Sequence, residues 1–309
     1  MRQEKSVNTT WRRIRADKVL YLMLLPVMLN FIIFHYLPMV GIVIAFKNYH
    51  PAYSIWDTAW VGFDKFKSFF QSYYFVEYTL NTLRISIWSI IVGFPMPILL
   101  ALLVNEIRKS SYKRVVQTVT YMPYFISSVI VVGLLSMLLN PADGVVNRLI
   151  TAAGGETVNF LGSTKWFVPV YIGMGIWQGT GFGAVVYLSA ISGIDSGLYE
   201  AAILDGAGRF ARMWHITIKS ILPTIAIMFI LRLGGILNVG WMEILLMQNT
   251  RNAGVSEVIQ TFVYKRGIIN ADYSYSTAVG LMMSGLGMIM ILLSNFVVRK
   301  LTHSEMSLF

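Results

Sequence analysis

The sequence contains no cysteine and only four histidines in 309 residues. The first absence excludes a disulfide scaffold, thiolate catalysis and Cys-ligated zinc or iron–sulfur centres, and the second leaves little for a metal site. Charge is also scarce. Asp, Glu, Lys and Arg make up 13% of the chain, against about 25% in an average globular protein, too few to cover a surface that faces water. Of the two signs the acidic one is scarcer, 15 residues against 25 basic, for a net charge of +10. A nucleic-acid reading would need those basic residues gathered on one exposed face, but they fall between apolar runs. Three motifs are missing as well: the phosphate-cradling G-x-x-x-x-G-K-[S/T], the G-x-S-x-G elbow and the H-E-x-x-H zinc helix. The expectation is a chain with no catalytic centre and no cofactor of its own.

What the sequence has in abundance is apolar length: 56% hydrophobic residues and a mean hydropathy of +0.62. Its runs predict an all-α membrane protein with six spans near 19–46, 80–105, 115–140, 166–192, 221–247 and 273–298. About 20 residues at 1.5 Å rise cross a hydrocarbon core of ~30 Å, so each suffices. Residues 1–18 read as a basic segment, 193–220 as a loop and 299–309 as a tail. The first span reads as a retained helix rather than a secretory signal, being too long and lacking a small-residue cleavage site. With six crossings both termini share a side. Fifteen basic residues lie on that side and eight on the other, which predicts cytoplasmic termini by the positive-inside bias.

Within the spans, Gly175, Gly179 and Gly183 recur every four residues, a small-residue stripe on which another helix can pack closely. Polar residues inside the bilayer are costly and mark candidate function. The candidates inside the bilayer are Trp177, Gln178, Arg232, Asn238, Trp241 and Glu243, a mixture of hydrogen-bonding groups and flat apolar rings. Arg232 and Glu243 would share one face of the fifth span, about 16 Å apart along the axis and so unable to pair. The alternative is that they snorkel or satisfy backbone groups while the tryptophans pack or anchor at the interface.

The loop at 193–220 is no ordinary polar turn. Ser196 and Gly197 offer a helix start, and Glu200 falls in the first turn, where the dipole favours a carboxylate. Ala201 and Ala202 are small enough for close docking, and Asp205, Gly206 and Gly208 form a break before a second amphipathic helix. Such a knob suits insertion into a partner's groove. This loop resembles the EAA loop of permease subunits of type I ATP-binding-cassette (ABC) importers. Glu200, Ala201, Ala202, Gly206 and Ile216 match that family's spacing, Ile218 stands for its leucine, and Lys219 departs from its proline, with Pro223 following. Further pieces look like permeases for sugars and oligosaccharides: Trp60, Val61, Gly62 and Phe63; Asn81 and Thr82; Gly144 through Asn147; and Asn159, Phe160 and Leu161, followed by Trp166.

The resemblance implies the type I importer permease fold and a mechanical role for the ATPase-coupling set Glu200, Ala201, Ala202, Asp205, Gly206, Gly208 and Ile216. It also implies the partners: a second related permease, two cytoplasmic ATPase subunits that bind ATP and Mg, an extracytoplasmic solute-binding protein, and a sugar or oligosaccharide cargo carried across the bacterial inner membrane. Two rivals remain at this stage. A proton-coupled transporter generally needs several intramembrane acids, of which Glu243 is the only clear one, and a membrane-embedded enzyme needs a nucleophile and base or a metal set.

Overall fold

The structure, a computed structural model, describes residues 16–301. Most of the expected basic segment and of the tail therefore lies outside the described residues. Among the described residues all regular structure is helical, apart from one antiparallel bridge between Lys47 and Trp60. Four helices are each long and apolar enough to cross a membrane: α1 (Lys18–Phe46), α3 (Phe75–Asn105), α9 (Arg209–Gly234) and α13 (Tyr273–Lys300). Two bent pairs raise the number to six if each counts as one span: α4 (Ser110–Phe125) with α5 (Ser128–Leu138), and α7 (Phe167–Ser192) with α8 (Ser196–Leu204). The short helices α2 (Asp64–Phe70), α6 (Val145–Ala152), α10 (Trp241–Met247), α11 (Ala253–Ser256) and α12 (Ile259–Tyr264) lie between them.

Two expected spans are not single straight helices. The segment at 115–140 turns by 99° between α4 and α5, where Pro123 sits in a tight 3-10 turn and Ile126 adopts an extended backbone. The segment at 221–247 is broken after Gly234 and resumes at Trp241. Gly234, Gly235 and Gly240 bracket this break, and glycine lowers the cost of leaving helical geometry. Backbone groups freed inside a bilayer must find partners. Ser86 donates to the Ile236 carbonyl, the Gly240 N–H donates to the Tyr171 hydroxyl at 3.0 Å, and the Asn238 N–H donates to the Gly235 carbonyl at 2.8 Å. The premise that Arg232 and Glu243 ride one continuous helix is therefore corrected.

α7 forms the centre of the bundle and packs along the second half of α3, where Ala101, Leu102, Ala184, Tyr187, Ile191 and Ile221 make one buried cluster. The glycine stripe on α7 is mostly not a packing seam. A Cβ at Gly175 or Gly179 would meet nothing within 4 Å, and only at Gly183 would it touch a neighbour, Pro97 at 3.1 Å. The close crossing uses Gly181 instead, whose missing side chain admits the Thr120 carbonyl of α4. A second close approach joins α9 to α13, with the Gly234 carbonyl 2.7 Å from where a Cβ on Gly287 would stand.

α1 is apolar all round and exposed from Val19 to Val40. Only its last turns pack on the bundle, beside α13. A helix without a polar face is suited to lipid or another subunit, not water.

Candidate functional site

The loop at 193–220 forms a knob of α8, a glycine break and the first turns of α9. Asp195, not Ser196 or Gly197, caps α8, its carboxylate accepting the Gly197 N–H at 2.9 Å. Glu200 consequently lies beyond the first turn, a correction to its expected dipole role. Its exposed side chain has no hydrogen bond or ion pair among the described residues. Leu204, one turn on from Glu200, is 89% exposed, and Phe210 and Trp214 are 82% and 64% exposed. Three large apolar groups are thus exposed on the same knob as an unengaged carboxylate. Ala201 is exposed beside it, and Ala202 is half-buried.

The end of α8 depends on glycine. Asp205 is its C-cap, Gly206 takes φ +78°, the Ala207 N–H reaches the Ala202 carbonyl at 2.8 Å and the Gly206 N–H the Ile203 carbonyl at 3.0 Å. This is the paired-bond Schellman ending, in which a left-handed residue closes the helix. Gly208, extended, then caps α9. Ile216 is half-buried in a π-helical turn over Met213–Ile218, and the Tyr199 hydroxyl meets that of Thr217 at 2.9 Å, tying the two limbs of the knob together. Lys219, where the resembling family has proline, lies within the unbroken helix. Gly206→Ala should destabilise this ending by about 1–2 kcal/mol, the penalty of a left-handed L-residue. Hydrogen exchange over residues 200–206 should accelerate while the spans exchange as before, and unchanged exchange in the loop would refute the strain argument.

α9 is 26 residues long, about 39 Å at 1.5 Å per residue. It runs from the knob to a cavity between α3, α7 and the break that follows α9. The cavity encloses about 430 Å³, inside the range of roughly 300–1,000 Å³ usual for small-ligand sites. Arg232, Asn238, Glu243 and Gln178 all line it, as do Gly175 and Gly179, so the open glycines are cavity wall. Tyr171 also lines it.

These candidates are not equally available to a guest. Gln178 donates through Nε2 to the Ile126 carbonyl at 2.9 Å, satisfying the group that the α4–α5 bend sets free. Glu243 accepts from the Ser128 hydroxyl at 2.5 Å, and its other oxygen packs where a Cβ on Gly240 would stand. Asn238 accepts from Gln260. Trp241 lies outside this cavity, its ring tilted against that of Tyr264 at 5.0 Å in a second one toward α13. Trp177 is 52% exposed and absent from both cavity walls. Tyr171 and Ser128, which hold the broken segment from 69 and 115 residues away, left no signal in the sequence. Phe210 and Trp214 did leave one, an apolar pair at i, i+4 in a basic loop.

The residues that carried the sugar-permease resemblance outside the knob are staples. Asn81 donates to the Gly254 and Glu257 carbonyls at 3.0 and 3.1 Å, and Thr82 accepts the Ile259 N–H. These bonds fasten α3 to the segment between α10 and α12, where Glu257 in turn binds Lys265 at 2.5 Å and Thr261 at 2.8 Å. Asn147, fully buried, donates to the Leu139, Asn140 and Val158 carbonyls and accepts the Val158 N–H. Trp60 and Phe63 pack on Phe46 at the end of α1, with Gly62 at φ +57° between them.

Comparison with known proteins agrees with this geometry. The family described as "Binding-protein-dependent transport system inner membrane component" matches residues 93–303, which include both the knob and the cavity-lining part of α7. Protein LplB of Bacillus subtilis (strain 168) is 46% identical over 93% of this chain and 90% of its own length. The polygalacturonan/rhamnogalacturonan transport system permease protein YteP of the same organism is 44% identical over 92% and 88%. Among solved structures, a chain of a bacterial ABC transporter involved in the import of the acidic polysaccharide alginate matches with a TM-score of 0.86 at 42% identity, covering 95% of this chain and 99% of that one. A chain of a bacterial alginate ABC transporter in complex with alginate pentasaccharide-bound periplasmic protein matches with a TM-score of 0.86 at 42% identity, covering 94% of this chain and 98% of that one. The family match, the relatives at 46% and 44% identity and the matching fold place this chain among the binding-protein-dependent transport system inner membrane components, as a multi-pass permease subunit of an ABC importer.

Proposed function

We propose that this chain is one of two related permeases that together move a sugar or oligosaccharide into the cytoplasm by alternating access. Its termini and knob face the cytoplasm. Two ATPase subunits, which bind ATP and Mg, hold the knobs in their clefts, and an extracytoplasmic solute-binding protein delivers the cargo. ATP binding draws the knobs together and turns the cavity outward, and hydrolysis resets it inward.

One observation carries this reading: the exposed apolar knob and the cavity wall are the two ends of one helix, α9. Helical hydrogen bonding runs unbroken from Phe210 through the π-helical turn at Met213–Ile218 to Arg232, so a displacement imposed at one end is carried to the other. The break after Gly234 lets α10 stay anchored to Ser128 while α9 moves. The sugar cargo is supported by the polygalacturonan and alginate transporters above, and the unpartnered length of α1 supports a second permease.

The test is uptake in vesicles carrying the assembled importer with its binding protein. Uptake should require ATP inside and should be indifferent to a proton gradient. Uptake driven by a proton gradient without ATP would overturn the proposal.

A further inference from the structure

We propose that Arg232 is the residue by which the cavity selects sugars bearing a carboxylate, so that this permease passes uronate-containing oligosaccharides in preference to neutral ones. The inference rests on the importer reading and names the cargo's chemistry.

Most polar groups on the cavity wall are already engaged within the chain. Ser86 serves the Ile236 carbonyl, Gln178 serves Ile126, and Glu243 is held by Ser128. Arg232 is not engaged in this way. It stands in the last turn of α9, exposed, lining the cavity, with no ion pair or hydrogen bond among the described residues. The ion pairs of the described residues, Lys265–Glu257 and Arg266–Asp272, lie outside this cavity. Thr180, which also lines the cavity, has a buried hydroxyl oxygen with no hydrogen-bond partner among the described residues.

An unpaired cation at this depth is costly and persists where it has a use. A guanidinium presents a rigid fork of donors that matches a carboxylate in two parallel, charge-assisted bonds. Sugar hydroxyls need no such charge, since neutral donors serve them equally well. Glu243, tied back by Ser128, leaves the fork open, and because the acid is held on the opposite side of the break it orients the guest's carboxylate toward α9. Two structural roles compete with this one: compensation of the α9 carboxy-terminal dipole and an ion pair to the second permease. Neither would make Arg232 discriminate between cargos.

The experiment uses the full importer with ATPase subunits that bind but do not hydrolyse ATP, in detergent without the binding protein. Trigalacturonate, its methyl ester and galactotriose are titrated into the wild type, Arg232→Gln and Arg232→Lys. Wild type should bind trigalacturonate about tenfold or more tighter than the ester. Arg232→Gln should abolish that preference by lowering the affinity for trigalacturonate to that for the ester, and Arg232→Lys should restore part of it. Equal binding of acid and ester by the wild type would overturn the inference, and this arm stands even if Arg232→Gln does not assemble. So would an equal loss of all three ligands in Arg232→Gln. Failure of ATP to drive uptake of any oligosaccharide would instead strike the importer reading, whereas ATP-driven uptake without a charge preference strikes this inference alone.

Discussion

Glu200→Ala is expected to remove ATP-driven uptake while leaving the membrane bundle and the binding protein's capture of its ligand intact. The carboxylate is exposed and has no hydrogen bond or ion pair among the described residues, so its loss leaves no buried group unsatisfied in this chain and α8 keeps its Asp195 cap and Gly206 ending. The effect must therefore appear in what the knob touches. Leu204 and Phe210 would be desolvated by a docking surface, and a carboxylate enclosed with them strengthens its pairing with a cation on the partner. Truncating one member of a buried interfacial charge pair costs about 2–5 kcal/mol, so association with the ATPase should weaken by about thirtyfold or more. The measurement is ATPase retention on the detergent-purified permease together with vesicle uptake. Normal retention and normal transport in this variant would refute the coupling role. Loss of thermal stability in the permease alone would make Glu200 a structural residue instead.

Gly181→Ala should have the largest effect on stability of any single methyl group added to α7. Its Cβ would stand against the Thr120 carbonyl and the Tyr121 nitrogen, both backbone atoms that cannot rotate aside. Small residues let membrane helices approach backbone to backbone, and overpacking such a contact costs about 1–3 kcal/mol, occasionally more. Relief would require α7 and α4 to separate, disturbing the bend at Ile126 and the Gln178 bond that satisfies it. A fall of several degrees in the unfolding temperature of the detergent-solubilised protein is expected, with reduced yield. Gly179→Ala is the control. Its added methyl meets nothing within 4 Å, so stability should hold while the cavity narrows. Equal behaviour of the two variants would contradict the assigned crossing point.

The contrast between these glycines shows what one sequence can and cannot convey. Spacing of four marked Gly175, Gly179 and Gly183 as a stripe on one helix face, which is a local property. Whether that face meets a helix or a void depends on where α3 and α9 end up, and the position that bears the contact, Gly181, is off the stripe. Likewise 221–247 reads as one apolar run because hydropathy is blind to a break whose freed groups are met by Ser86 and Tyr171, residues distant in sequence. Asn81, Thr82 and Asn147 could be matched to a pattern, but their work as staples is visible only in the bonds they make.

By itself the sequence determined the solvent of this protein and the form of its knob. Too little charge for water and enough apolar length for lipid follow from composition, and the Glu200-Ala201-Ala202 stretch and the Gly206 ending follow from interactions among residues no more than a few positions apart, whereas the start at Asp195 rather than Ser196 or Gly197 was settled by the structure. Only the tertiary structure decided which polar groups the chain uses for itself and which it leaves open. Gln178 and Glu243 are engaged by partners 52 and 115 residues away, Trp177 faces away from the cavity, and Arg232 stands in it unpaired among the described residues. A side chain's type is written at its position, but its surroundings are set by contacts between segments whose arrangement no local periodicity encodes.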